Sequence, residues 1–221
     1  MFRNLTKVAA TACVHVGAVL LIASAGFLTN QPVAYADSCP DVEVVFARGT
    51  GGPPGVGAAG QAFVDSLREQ VPTKTIGVYA VDYPAGIDFN NSSTLGADDA
   101  RAHLQAMVAD CPDTELVLGG FSQGANVIEL VTGTESAAWG YAAPLSPAIA
   151  DHVAAVVLLG NPSRKSGGPF TQRNPLYGPK SVDLCALGDP ICSNGVNIPI
   201  HGAYVQVGAT TKAATFVADR L

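Results

Sequence analysis

The stretch Gly120-Phe121-Ser122-Gln123-Gly124 constrains this chain more than any other. It follows the apolar run Glu115-Leu116-Val117-Leu118-Gly119 and precedes Ala125-Asn126-Val127-Ile128-Glu129-Leu130-Val131. A strand that turns directly into a helix crowds the backbone on both sides of its apex. Glycines at 120 and 124 remove the side chains that would collide there, so the serine can hold a strained conformation with its hydroxyl exposed. Glycine-rich composition alone can generate such a pentapeptide, so the flanking strand and helix give it its meaning.

On either side of this elbow, apolar runs alternate with helical periodicity. Val42 to Ala47, Ile76 to Asp82 and Val153 to Gly160 read as strands, with a weaker one from Ser181 to Cys185. Gly60 to Val71 reads as a helix with Phe63, Leu67 and Val71 along one face. Leu95 to Asp110 is helical, with Leu104, Met107, Val108 and Cys111 at i, i+3, i+4 and i+7, and Ala213, Phe216, Val217 and Leu221 give the last helix an inward stripe. This β-α-β-α order predicts an α/β fold with a mostly parallel sheet covered on both faces. In such folds functional groups collect at the carboxyl ends of strands. Loops rich in proline and glycine fall at 48–57, 161–178 and 189–199, and the first and last can reach the edge that carries Ser122. No insertion is long enough to form a helical lid, so the site is expected to be open to solvent.

The amino terminus reads as a secretory leader. Arg3 and Lys7 form a basic start, Val8 to Leu28 is largely apolar, and Ala34-Tyr35-Ala36 is an A-x-A cleavage site. Residues 1–36 are therefore expected to be removed, leaving 37–221 as one domain with Asp37 first. An uncleaved anchor would need a similar run of about 20 apolar residues, but the small-residue site favours removal. Cys13 lies inside the apolar run, with Ala10 where a lipidation motif would usually carry leucine. The whole chain has 18 Asp and Glu against 12 Lys and Arg, a formal charge of −6, and the leader removes only basic residues. That balance argues against nucleic acid and anionic membranes as partners. No stable membrane insertion is expected after cleavage, and the chain is expected to be a monomer.

Beyond the leader lie Cys39, Cys111, Cys185 and Cys192. An even count in an exported chain points to disulfides, with three connectivities open. Pairing 185 with 192 and 39 with 111 is favoured because the first pair closes a small loop. Metal binding is discounted, because no paired C-x-x-C spacing exists and the histidines of this region are far apart. No cofactor is expected.

A serine hydroxyl attacks only when a base takes its proton, and that base is usually a histidine oriented by a carboxylate. His103 sits mid-helix and reads as a surface residue. His152 opens the Val153 strand, at the wrong edge of a parallel sheet. His201 follows Asn197-Ile198-Pro199-Ile200 in a loop before the final helix and can reach Ser122. For the acid, Asp189 stands between Cys185 and Cys192, whereas its competitor Asp183 lies in a strand. The order Ser122, Asp189, His201 is that of α/β hydrolases. Donors for a developing oxyanion are expected from the amide of Gln123, at a helix start, and from Thr50, through its amide and hydroxyl.

Taken together, Ala47-Arg48-Gly49-Thr50, the elbow pentapeptide, Cys185-Ala186-Leu187-Gly188-Asp189-Pro190-Ile191-Cys192 and His201 resemble the cutinase family of small α/β-hydrolase serine esterases, in its bacterial cutinase-like branch. The resemblance runs over almost all of 37–221. It implies a three-layer α/β/α sandwich around a five-stranded parallel sheet, without a lid. It also implies Ser122 as nucleophile, Asp189 as orienting acid, His201 as base, and Thr50 and Gln123 at the oxyanion hole, with disulfides Cys39–Cys111 and Cys185–Cys192. Where fungal members usually have serine, this chain has Thr50. The resemblance implies a small-molecule or lipid ester as partner and leaves the ester open: short acyl esters, cutin-like polyesters, triacylglycerols, phospholipids and acetylated polysaccharides all fit the chemistry. Ile191, Ile198 and Ile200 read equally as an acyl lining or as loop packing.

Two rival classes compete. Gly55-Val56-Gly57-Ala58-Ala59-Gly60, with Asp82 further on, imitates a dinucleotide fingerprint, but Arg48 to Pro54 separate it from its strand. A secreted binding or antigenic protein could keep the fold and lose the activity, and the complete set of Ser122, Asp189 and His201 argues against it.

Overall fold

The computed structural model describes residues 39–133 and 145–221. The expected leader and its cleavage site lie outside the described residues. Five strands form one sheet: β1 (Val42–Ala47), β2 (Ile76–Ala80), β3 (Glu115–Phe121), β4 (Val153–Leu159) and β5 (Ser181–Leu184). Their order is β2-β1-β3-β4-β5, and every pairing is parallel. The strands are short, β-branched or leucine-rich, and almost wholly buried in β1, β3 and β4, as a sheet covered on both faces requires.

The helices are α1 (Gly57–Gln70), α2 (Phe89–Asp110), α3 (Gln123–Thr132) and α7 (Ala209–Ala218), with single turns α4 (Pro147–Ala150), α5 (Arg164–Gly167) and α6 (Phe170–Arg173). One face of the sheet packs Val45, Leu116, Leu118, Val156 and Leu158 against α2 and α3, through Leu104, Val127, Ile128 and Val131. The opposite face packs Val44, Phe46, Val117 and Val157 against α1 and α7, through Phe63, Leu67, Ala213 and Val217. Each such large side chain removed from water contributes roughly 1.5–3 kcal/mol, which fixes the layer order. No helix among the described residues is long and apolar enough to cross a membrane.

The strand readings hold to within a residue or two, but two helices begin earlier than their periodicity indicates. Helix α2 starts at Phe89 rather than Leu95. Asn90, Asn91, Ser92, Ser93 and Thr94 are weak helix formers that favour caps and turns. Tertiary contacts override that preference: Ser92 and Ser93 are buried, and the Ser92 hydroxyl accepts from the Gly86 amide at 3.0 Å. Helix α1 starts at Gly57, and the inward stripe of the last helix holds, with Ala213 and Val217 buried and Phe216 and Leu221 packed on the same cluster.

Both disulfides have the favoured connectivity, Cys39–Cys111 and Cys185–Cys192. The first ties the segment before β1 to the end of α2. The second closes the loop that follows β5.

Candidate active site

Ser122 stands directly after β3, the middle strand, and caps α3. Its φ of 55° and ψ of −117° lie outside the ordinary regions for a residue with a side chain. Such a conformation costs on the order of 1–3 kcal/mol and persists only where its surroundings enforce it. The surroundings are backbone on every side. A Cβ on Gly120 would lie 2.2 Å from the Gly124 carbonyl oxygen, and one on Gly124 only 1.9 Å from that of Ala47. The Ser122 amide donates to the Leu159 carbonyl at 2.8 Å, which locks the elbow to β4.

Ser122 Oγ lies 2.8 Å from His201 Nε2, and His201 Nδ1 lies 2.7 Å from Asp189 Oδ2. The three groups expected from the sequence therefore form one hydrogen-bonded line. His201 comes from a short helical turn, Ile198–Gly202, and Phe121 stacks on its ring with centroids 5.0 Å apart. Asp189 is fully buried inside the loop closed by Cys185–Cys192. Burial pushes its carboxyl up, but hydrogen bonds from His201, the Ile191 amide and Tyr204 outweigh that and hold it below the ordinary value of 3.8. It is thus poised as a carboxylate at neutral pH.

Tyr204 is the residue that sequence reasoning missed. Its hydroxyl donates to Asp189 Oδ2 at 2.7 Å and accepts from the Ala186 amide at 3.1 Å. Burial first, and then the adjacent carboxylate, raise its phenol well above the ordinary value, so it stays protonated as a donor. A buried tyrosine needs a partner for its hydroxyl, but nothing beside Tyr204 in the chain announces its burial.

The two residues expected at an oxyanion hole, Thr50 and Gln123, are held by clamps from distant residues. Gln123 begins α3, so its amide has no intrahelical acceptor and points out of the helix. Thr50 Oγ1 lies 3.4 Å from Gln123 Oε1, and Gln123 Nε2 donates to the Gly86 carbonyl at 3.0 Å. Gly51 donates to the carbonyl of Ala85, a residue itself held at a φ of 51°. Arg48, buried, donates to the carbonyls of Gly52 at 2.8 Å, Val81 at 3.4 Å and Tyr83 at 2.6 Å. The Thr50 loop is thereby tied to the segment that follows β2. Neither Arg48 nor the Ala85-Gly86 turn carried a chemical signal in the sequence.

Of the residues passed over, Asp183 lies within β5 and its side chain is enclosed. It accepts from the Phe170 amide at 2.9 Å, and burial raises its carboxyl above the ordinary value. His152 lies at the amino end of β4, remote from the elbow in the sheet. The surface reading of His103 needs correction. It is half-buried, stacked on Tyr79 at 3.5 Å and bonded to Glu43 Oε1 at 2.6 Å. Glu43 is an inward residue of β1, and the histidine of α2 satisfies it. The Gly55–Gly60 motif leads into α1 through a loop rather than straight from β1, and Asp82 is exposed.

Around the site, Ile87, Phe89, Leu187, Val196 and Ile198 are exposed, Leu187 at 98%. Ile191 is also exposed and Ile200 half-buried.

A parallel five-stranded sheet between helices, with a sharp strand-to-helix elbow at its middle strand, is the fold of an α/β hydrolase. The cutinase family model matches residues 38–221, and the chain belongs to the cutinase family. Carboxylesterase Culp1 of Mycobacterium tuberculosis (strain ATCC 25618 / H37Rv) is 52% identical over 194 residues, which are 85% of this chain and 85% of that one. Phospholipase Culp4 of the same strain is 49% identical over 219 residues, covering 99% of this chain and 92% of the relative. Among solved structures, a Trichoderma reesei cutinase in complex with a C11Y4 phosphonate inhibitor superimposes with a TM-score of 0.67 at 34% identity, over 82% of this chain and 76% of that one. The catalytic core domain of acetyl xylan esterase from Trichoderma reesei gives 0.70 at 26% identity, over 83% and 100%. The chain is accordingly a carboxylic ester hydrolase.

Proposed function

We propose that the chain is an exported serine esterase that hydrolyses carboxylic esters with short to medium acyl chains through an acyl-enzyme. The observation that supports this best is the line from Ser122 Oγ to His201 Nε2 at 2.8 Å and from His201 Nδ1 to Asp189 Oδ2 at 2.7 Å. Ser122 attacks the ester carbonyl while His201 takes its proton. The oxyanion forms against the amides of Gln123 and Thr50. His201 then gives the proton to the departing alcohol, and water, activated in the same way, releases the acid from Ser122. Asp189 stays ionised and holds the imidazole in register.

The exposed apolar rim of Ile87, Phe89, Val196 and Ile198 favours lipid-like acyl groups over acetylated sugars. Two disulfides and the leader-like residues 1–36 support export, with cleavage before Asp37.

Exchanging Ser122 for alanine should lower hydrolysis of a soluble butyrate ester by about 10⁴-fold or more, with an unaltered circular dichroism spectrum. A fluorophosphonate should label the wild type alone. Undiminished turnover in the variant would contradict the assignment, and a wild type inert to the probe would mean a dead site. Amino-terminal sequencing of protein from the culture medium checks the cleavage position.

A further inference from the structure

A cavity of about 280 Å³ opens beside the elbow, and its walls carry Thr50, Phe121 and Gly202. Each is a neighbour of, or a member of, a different part of the machinery. Thr50 is an oxyanion donor, Phe121 precedes Ser122, and Gly202 follows His201. The rest of the wall is mainly hydrocarbon, including Val56, Ala58 and Val205. These residues belong to the side of the sheet covered by α1 and α7, where Phe121 and Val56 pack on the cluster of Phe46 and Tyr204. The exposed rim residues Ile87, just before α2, and Phe89, its first residue, instead follow Ala85, which belongs to the cluster of the opposite face. Two apolar features thus flank Ser122 from the two faces of the sheet.

The geometry of acyl transfer distinguishes them. In the tetrahedral intermediate the oxyanion faces Thr50 and Gln123. The leaving oxygen must come within reach of His201 Nε2 to receive its proton. A cavity bounded by Thr50 on one side and by Gly202 on the other lies where the substituent of the leaving oxygen goes. The acyl chain departs toward the other face. We propose that this cavity is the leaving-alcohol subsite and takes the hydrocarbon part of a medium-sized apolar alcohol. This rests on the Ser122 reading above.

The walls also favour an uncharged occupant. The one charged residue among them is Arg48, and each of its three nitrogens already donates to a carbonyl, of Gly52, Val81 or Tyr83. Three of its five N–H donors are thus committed to backbone carbonyls. At about 280 Å³ the cavity is at the small end of ligand sites, with room for an alcohol of roughly six carbons. The step balances without a co-reactant. The Ser122 Oγ–acyl bond forms, the acyl–alkoxide bond breaks, and the alkoxide takes the proton that Ser122 gave to His201.

Gly202 offers a way to close the cavity. A Cβ built there meets no heavy atom within 4 Å, and its φ is one that L-residues adopt, so a side chain fits without strain. The experiment measures kcat/KM for butyrate esters of methanol, ethanol, butanol, hexanol and benzyl alcohol, and separately for methyl esters of lengthening acids. In the wild type the alcohol series should rise, by up to about 4-fold per buried methylene. Gly202→Leu should flatten the alcohol series while the acyl series keeps its slope. Ala58→Phe, at an exposed position of the same wall, should do likewise and serves if the first variant fails to fold. A flat alcohol series in the wild type, or variants that flatten both series alike, would overturn the subsite. Failure of the esterase reading itself has a different signature, namely ester turnover that survives Ser122→Ala.

Discussion

Replacing Tyr204 with phenylalanine removes one oxygen atom and probes the whole acid side of the site. The Tyr204 hydroxyl donates to Asp189 Oδ2 at 2.7 Å and accepts from the Ala186 amide at 3.1 Å. A hydrogen bond to a charged group is worth about 1.5–3 kcal/mol, and an amide left unsatisfied costs about 1–3 kcal/mol more. Because Ala186 is only partly buried, water can recover some of the second term. A loss of about 2–4 kcal/mol follows, or roughly 5–15 °C in Tm for a domain of this size. The loss has a pH signature. Asp189 is held below its ordinary value of 3.8, so its contribution is fully present above that value and disappears as pH falls through its lower folded-state value. The stability gap between wild type and variant should therefore be widest at neutral pH and narrow below 3.8. Activity should fall less than in a triad deletion, by about 10-fold, since the Ile191 amide at 2.8 Å and His201 still hold the carboxylate. Thermal unfolding from pH 3 to 7, together with kcat/KM on a butyrate ester, measures both. A variant with wild-type Tm at neutral pH, or a gap that widens on acidification, would refute the assignment of this hydroxyl to Asp189.

Three other exchanges separate the supporting parts. Replacing Cys39 and Cys111 by alanine opens a bridge between residues 72 apart and should cost about 4 kcal/mol in denaturant titrations, with kcat little altered. Replacing Cys185 and Cys192 opens a bridge of separation 7 and should cost only about 2.5 kcal/mol, yet lower kcat more, because Asp189 sits inside that loop. Equal kinetic effects in the two variants would argue against the loop as the constraint on Asp189. Thr50→Val keeps the amide and deletes the hydroxyl; a fall in kcat of about 10²-fold at unchanged KM would identify that hydroxyl as an oxyanion donor, and wild-type kcat would leave the role to the amides alone.

The parts of this protein that depend on neighbours in the chain were legible in its residues. Strand and helix periodicities placed all five strands. The spacing of Gly120, Ser122 and Gly124 specified an elbow, because the collisions it avoids lie within a few residues of the apex. The local Cys185–Cys192 pair framed Asp189, and Asp183 could be set aside because its strand context points to packing, as its enclosure bears out. Chain order and loop position were enough to prefer His201 over His152.

Contacts between distant segments were a different matter. His103 looked like a surface residue because nothing near it in the chain announces Glu43, 60 positions away. Helix α2 begins at Phe89 in spite of its Asn- and Ser-rich first turn, since the bond from the Gly86 amide, in the turn after β2, to the buried Ser92 hydroxyl outweighs weak local propensity. Arg48 stood in the Ala47–Thr50 motif without a role of its own, and Tyr204 read as an anonymous residue, until folding set one against three carbonyls and the other against a carboxylate. Local sequence thus decided the strands, the elbow and which side chains were candidates for the site, because φ/ψ preference and periodicity act over a few residues. Tertiary structure alone decided how those groups are held and which space lies beside them, because hydrogen-bond partners and cavities are made by surfaces that meet only when the sheet closes.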